Sequence, residues 1–350
     1  MKSTEVAINS GFLGQQWVKR VNIRDIGEFG LIQRIRRWMA TSGSDLIKGI
    51  GDDAAVMEMG DKALLATTDI LIEGIHFRRS WIDAYSLGKK AILVNLSDIA
   101  AMGGTPKYFL VSLGLPKSLP TSYVSQLYRG LKEGAKSSRT DLVGGDTSLS
   151  PKIILNIALL GEGRKQNLLF RSGARVGNDL WVSGTLGDSG LGLRMLRKKR
   201  ARGISKKLIE RHLSPTPRLQ LGQALANHHL ATAMIDVSDG LLIDTSHLLE
   251  ESGVGVLIFE DKIPLSREYQ RFVHLYSRDP YRFALTGGED YELLFTAPPQ
   301  NRDRISSLSH SLKLPLTCIG EILPKKRRLL VAKKDGKGHS PSCLGFDHFR

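Results

Sequence analysis

Ala63-Leu64-Leu65-Ala66-Thr67-Thr68-Asp69, then residues 85–102, then Lys107-Tyr108-Phe109-Leu110-Val111-Ser112-Leu113 read in turn as a strand, a helix and a second strand. Gly103-Gly104 followed by Pro106 closes the helix, because glycine and proline cannot continue it. The alternation continues outward. Residues 153–160 form another strand-like run that reaches Gly161-Glu162-Gly163, where a domain boundary is expected. Beyond it, strands are expected at residues 179–184, 233–237, 254–259, 291–296 and 329–332, with Ser238-Asp239 as the cap of a helix running to about Glu251. Strands interleaved with helices give an α/β (α+β) class and exclude all-α and all-β folds. Residues 1–26 are polar and without a sustained period, so they read as a flexible N-terminal extension before an N-terminal domain at 27–162 and a C-terminal domain at 163–350.

With 350 residues, 41% of them hydrophobic, the chain has enough apolar material for buried cores, which excludes disorder as its main state. Only two cysteines occur, Cys318 and Cys343, so reduced thiols and a cytoplasmic location are expected. No stretch approaches the ~20 apolar residues of a membrane span. A net charge of +15 raises nucleic acid as a partner, but nine basic residues and one acid lie in 194–211, and seven and one in 325–337. Neither stretch interleaves aromatics for base stacking, and no zinc-finger or RNA-recognition signature occurs. Two solvated basic faces are the simpler reading, with an RNA-binding protein as the alternative.

The acids are more informative, because this basic chain places them at strand ends and glycine turns. Gly49-Ile50-Gly51-Asp52-Asp53-Ala54 fits a loose dinucleotide pattern, yet two adjacent carboxylates would repel a pyrophosphate on that turn. A cation between carboxylate and phosphate removes the conflict, and Mg²⁺ suits oxygen ligands; a solvated turn is the alternative. In Thr67-Thr68-Asp69 the pleat sends Thr67 and Asp69 to one side and Thr68 to the other. Leu87, Ala91, Val94 and Asp98 share a helical face, so Asp98 sits on an apolar stripe and needs a partner. Gly144-Gly145-Asp146-Thr147, Asp236-Val237-Ser238-Asp239-Gly240 and Gly287-Gly288-Glu289-Asp290-Tyr291-Glu292 repeat the arrangement. Asp and Gly populate turns for conformational reasons, but this many acidic turns together are hard to explain that way. There is no Walker-type phosphate loop, zinc-protease helix, nucleophile elbow or protein-kinase signature set. A metal-dependent phosphate site without a covalent nucleophile or general base points to phosphoryl transfer.

These segments, in order from residue 27 to the C-terminus, resemble the thiamine-monophosphate kinase family, part of the superfamily that includes aminoimidazole ribotide synthetase. To the motifs above the resemblance adds Gly27-Glu28-Phe29, Glu73-Gly74-Ile75-His76-Phe77, Lys90 to Gly103, Arg171-Ser172-Gly173, Gly187-Asp188-Ser189, Arg211-His212 and Gly345-Phe346-Asp347-His348-Phe349. It implies a two-domain PurM-like fold, with N-terminal strands contributing to a dimer β-barrel and a C-terminal α/β domain closing over the site. It implies a homodimer that uses ATP as co-substrate and several Mg²⁺ ions to convert thiamine monophosphate to thiamine diphosphate. Another ATP-dependent phosphotransferase or synthetase of the superfamily is the alternative, although the selenide-activating relative needs a reactive residue near its N-terminus and the first cysteine here is Cys318. By motif, Asp53, Thr67, Thr68, Asp69, Asp98, Asp146, Asp236 and Asp239 would bind metal. Gly145, Asp146, Arg171 and Ser238 would contact ATP, and His76, Glu289 and Phe346 would line the acceptor pocket. The leader and the basic stretch at 194–211 are not features the resemblance leads one to expect.

Overall fold

In the computed structural model, described for residues 21–39, 43–198, 205–333, 338–346 and 348–349, the strands form two sheets. The described residues divide into two compact units, one of 43–346 and one of 21–39 with 348–349. The smaller holds helix α1 (Ile23–Trp38), bent at Gly27, where φ is 68°. The backbone N–H of Asn22 donates to Asp25 at 2.8 Å at its start. Helix therefore begins inside the segment read as an extension, and residues 1–20 of that segment lie outside the described residues.

The first sheet of the larger unit comprises β1 (Leu46–Lys48), β2 (Ala55–Met59), β3 (Lys62–Ile72), β4 (Thr105–Leu115), β5 (Asp141–Leu149) and β6 (Ile154–Arg164). Its order is β1-β2-β3-β6-β4-β5, antiparallel except for β4 with β5. The crossover between those two strands carries α3 (Thr121–Lys136). Alternate residues such as Leu65, Val111 and Ile157 turn inward under α2 (Ala84–Ala101), which starts at Asp83, whose side chain accepts from the Ser86 N–H. A Cβ on Gly88 would stand 2.0 Å from the Leu127 carbonyl oxygen, and one on Gly130 would stand 1.9 Å from that of Tyr85. The bare backbones of α2 and α3 can therefore meet only because these two residues are glycine.

The second sheet comprises β7 (Asp179–Ser183), β8 (Ala233–Asp236), β9 (Gly255–Phe259), β10 (Leu293–Ala297), β11 (Leu316–Leu323), β12 (Leu329–Ala332) and β13 (Gly338–His339). They run in the order β13-β12-β9-β11-β7-β10-β8, antiparallel except β9 with β12. Around them lie α4 (Asp188–Arg197), α5 (Lys206–Leu213), α6 (Leu219–Asn227), α7 (Leu241–Ser252), α8 (Arg267–Phe272), α9 (Arg282–Thr286) and α10 (Arg302–Leu312). The two halves meet through α2. Leu87, Leu96 and Ile99 join the core of the first sheet, while Ala100 and Ala101 pack with Leu221, Leu225, Trp181 and Phe295 of the second. Each large apolar side chain so buried contributes roughly 1.5–3 kcal/mol. The apolar stripe expected on α2 is thus only part of a helix buried almost all round, and this clasp is what brings acids of both halves together. Among the described residues no helix is long and apolar enough to cross a membrane.

Candidate active site

Carboxylate oxygens of Asp53, Asp98 and Asp236 all lie within 4.8 Å of one another. They come from three places: the turn before β2, the C-terminal part of α2, and the end of β8. Thr67 on β3 donates its hydroxyl to Asp98 at 2.5 Å, and Ser97 donates to Asp236 at 2.5 Å. Asp69, two residues along β3, raises the Asp98 carboxyl electrostatically. The Arg171 guanidinium meets Asp53 at 2.5 Å, and the Arg171 backbone N–H points to Asp52 at 3.2 Å.

This concentration of acids in a buried place sets their proton affinities. Asp98 is raised well above the ordinary carboxyl range, first by burial and then by Asp69, Asp236 and Asp53. Asp236 is pushed up to about 8, again first by burial and next by Asp53. Asp69 is pushed up to about 6 by burial. Asp53 is also raised by burial despite Arg171, and its Oδ2 is buried without a hydrogen-bond partner among the described residues. Such a group suits a cation whose ligands are oxygens, because bound charge would relieve the burial and the repulsion together.

Thr68 and Asp146 do not join this cluster. Thr68 faces the other side of the sheet, as the pleat requires, and its hydroxyl donates to the Ile157 carbonyl at 2.9 Å. Asp146 pairs in register with Ser112, which pairs with Asn156 and so with Ile70, all on the outer face. Asp69 instead aligns with Ile157 and Val111 on the inner face. Gly145 pairs with Val111, and a Cβ there would stand 2.0 Å from the Val111 carbonyl oxygen, so no side chain fits.

The start of α7 also corrects the sequence reading. Its N-cap is Gly240, not Ser238-Asp239. The backbone N–H groups of Asp239 and Gly240 both donate to Asp244 Oδ2, at 3.1 and 3.0 Å. Those amides already serve Asp244, which fits the preference of acids for a helix N-terminus. Burial raises Asp244 well above the usual range, with Asp239 and Asp236 adding to it. Nothing in the sequence marks Asp244, because its role depends on the turn that folds back over it.

A second group forms beside the first. Glu289, at φ 66°, donates its backbone N–H to the Ser238 carbonyl at 2.7 Å and pairs its carboxylate with Lys90 of α2. His212 Nδ1 lies 3.4 Å from the same carboxylate and 3.0 Å from the Ser189 hydroxyl. Glu289 is held below its usual range; burial opposes this, and Lys90, then His212, outweigh it. His76 also favours the charged form of Glu289. Its Nδ1 accepts the Ile72 N–H at 3.0 Å, which fixes the ring. Phe346 is 48% exposed, and its N–H reaches the Asp239 carbonyl at 3.3 Å. The basic stretch at 194–211 is not simply a solvated face either: Arg211 bonds buried Glu292 at 2.7 Å. Residues 199–204 of that stretch lie outside the described residues.

The acids make stability depend on pH. Between pH 6.5 and 8, protein in chelator is expected to lose stability as pH rises. Asp236 and Asp290 are both raised to about 8, chiefly by burial, while unfolded carboxyls titrate near ~4. The folded chain therefore holds more protons than the unfolded one across this window, and unfolding becomes easier as they leave. His212 and His247, lowered to about 4 by burial, act with the opposite sign below about 6.5, which is why the window starts there. A divalent cation should restore most stability at the alkaline end, where fewer protons compete with it. Thermal melts in chelator that stay flat or rise through the window would contradict this.

Two sheets clasping one helix, with acids gathered at the seam, define a class. The models of the AIR synthase related protein N-terminal and C-terminal domains match residues 51–162 and 175–332. Within that class the chain belongs to the thiamine-monophosphate kinase family. It is 43% identical over 282 residues to the thiamine-monophosphate kinase of Aquifex aeolicus, covering 80% of this chain and 89% of that one. It is 38% identical over 329 residues to that of Salmonella typhimurium, covering 92% and 98%. The solved structure described as AaThiL complexed with AMPPCP and TMP superposes with a TM-score of 0.82 at 39% identity, covering 95% of this chain and all of that one.

Proposed function

We propose that this chain transfers the γ-phosphoryl group of ATP to thiamine monophosphate, giving thiamine diphosphate and ADP. The convergence of Asp53, Asp98 and Asp236 beside Asp69 carries this reading, since acids from both halves meet where nucleotide and acceptor phosphates would otherwise repel each other. Together with Thr67 they would hold Mg²⁺, and the unpartnered Asp53 oxygen is a ready ligand. When bound, Mg²⁺ supplies charge neutralisation and alignment of the phosphoryl oxygens. Arg171, fixed by Asp53, offers its guanidinium to the nucleotide phosphates. The acceptor, a phosphate monoester with a second pKa near ~6, is already mostly dianionic at neutral pH, so no general base is required. Glu289 would face the cationic thiazolium, with His76 beside it, and Phe346 would offer its exposed ring to the acceptor's aromatic body. In this reading residues 27–162 supply Asp53, Asp69, Asp98 and, for the acceptor pocket, His76, and residues 163–350 supply Arg171, Asp236, Glu289 and Phe346.

A panel of small phosphate acceptors with ATP and Mg²⁺, resolved by mass, tests the assignment. Thiamine monophosphate should gain one phosphoryl group and unphosphorylated thiamine none; preference for a different acceptor would overturn it. Phe346→Ala should raise the acceptor KM about 3- to 10-fold, as loss of a cation–π or stacking contact implies, with the ATP KM nearly unchanged. Unchanged KM values with a lowered melting temperature would remove Phe346 from the pocket.

The homodimer belongs to the same proposal. Tyr108 and Leu110, on β4 next to the edge strand β5, are 49% and 36% exposed on the outer face of the first sheet, and Ile70 on β3 is 46% exposed on the same face. An apolar sheet face next to a free edge invites pairing, and a second copy presents the same surface in return. Sedimentation should report a dimer for the wild type and a monomer for the Ile70→Lys, Leu110→Lys double variant. A wild-type monomer at micromolar concentration would refute the pairing.

A further inference from the structure

The phosphoryl-transfer site leaves part of the basic stretch unexplained. Helix α4 buries Leu191 and Met195 in the core and packs Gly192 against Leu208 of α5. Its other side presents Gly190, Leu193, Arg194 and Arg197, spaced i, i+3, i+4 and i+7, which places them in one stripe. This stripe, with Tyr276, Arg282 and Phe283, lines a cavity of about 230 Å³. No lining residue belongs to the acidic cluster, and none carries a carboxylate.

The cavity brings together three guanidiniums from two helices. Three other arginines of this half find acids: Arg211 and Arg218 meet Glu292, and Arg302 meets Asp179 at 2.6 Å. Among the described residues, Arg194, Arg197 and Arg282 make no ion pair, so their charges converge without compensation. A second observation is independent of charge. The hydroxyl of Tyr276 is buried and has no hydrogen-bond partner among the described residues. Leaving such a group unsatisfied costs about 1–3 kcal/mol, and a bound acceptor would offset that cost once the side chain turns the hydroxyl into the cavity. Burial also raises the Tyr276 phenol, so it stays protonated and able to donate.

We propose that this cavity is a binding site for the phosphate or diphosphate end of a small organic phosphate. Planar, permanently charged guanidiniums match phosphate oxygens in pairs, and the Tyr276 hydroxyl supplies a further donor. Leu193 and the rings of Phe283 and Tyr276 give the remaining wall an apolar character suited to the part of the molecule next to the phosphate. The volume is below the ~300–1,000 Å³ of pockets that enclose whole drug-sized ligands, so the anionic end enters and the rest stays outside.

Titration calorimetry of the full chain in chelator, with inorganic pyrophosphate as the probe, tests the site while the metal-dependent chemistry is silent. One saturable site per chain is expected. Arg194→Ala and Arg282→Ala change exposed side chains and should each weaken binding roughly tenfold, as loss of a charge-assisted contact implies. Tyr276→Phe should weaken it several-fold while leaving the melting temperature equal or higher, because it deletes a buried hydroxyl that lacks a partner in the free chain. Arg171→Gln should leave pyrophosphate binding unchanged, which separates this cavity from the phosphoryl-transfer site. Absence of saturable binding would overturn the proposal. So would binding lost in Arg171→Gln but retained in Arg282→Ala, or tight binding of an RNA oligomer with none of pyrophosphate.

Discussion

Asp98→Asn is expected to turn over about a thousandfold more slowly than the wild type and yet to melt at a higher temperature in chelator. The two effects share one cause. Asp98 is forced well above its ordinary pKa by burial and by three neighbouring acids, so in the free chain its carboxylate is a source of repulsion. Asparagine keeps the shape and can still accept the Thr67 hydroxyl, which now lies 2.5 Å from Asp98 Oδ2. Removing the charge relaxes the cluster. It also removes one of the three carboxylates that lie within 4.8 Å of one another. Removing a single group that organises transition-state charge costs about 10²–10³ in turnover, and a weakened metal array adds to that. Initial rates at saturating ATP, acceptor and Mg²⁺, with melts of the same preparation, separate the outcomes. Near-normal turnover would defeat the cluster as the catalytic centre; a fall in both rate and melting temperature would make Asp98 structural.

Much of this centre is legible in the sequence, for a local reason. Thr67 and Asp69 follow an apolar strand run, so the pleat alone puts them on one side and Thr68 on the other. Asp236 ends a short apolar strand, and Asp98 sits in a helix whose apolar spacing declares its burial. What carried Thr68 and Asp146 into the same group was the motif, which records neighbours along the chain and not sheet parity. The register of β3, β6, β4 and β5 puts both on the outer face. Other features depend on contacts no periodicity encodes. Asp244 serves the amides of Asp239 and Gly240 only after the chain turns at Gly240. Lys90 meets Glu289 across 199 positions of sequence. Charge counting treats Arg211 as one more solvated cation, although it bonds an acid 81 positions away.

That acid carries the largest expected effect on stability. Glu292 is fully buried, at 0% exposure, and is held on every side. Oε1 meets Arg211 at 2.7 Å and also Arg218 Nη2; Oε2 accepts from Arg218 Nε at 2.6 Å and from the Ser183 hydroxyl at 2.6 Å. One carboxylate thus ties the residue before β10 to the end of α5, the start of α6 and the end of β7. Glu292→Leu is expected to destabilise the chain by about 3–5 kcal/mol, because it strands two guanidiniums against an apolar side chain. Arg218→Met should cost less, about 1–3 kcal/mol, since Arg211 and Ser183 still satisfy the acid. Combining Glu292→Leu with Arg211→Leu and Arg218→Met should recover part of the loss, as apolar packing replaces an ion network without leaving a charge behind. Urea midpoints of the four proteins give this order directly. If Glu292→Leu unfolds within about 1 kcal/mol of the wild type, the network is not holding these elements together, and the packing of Leu293 and Phe295 in the adjoining core would have to do so alone.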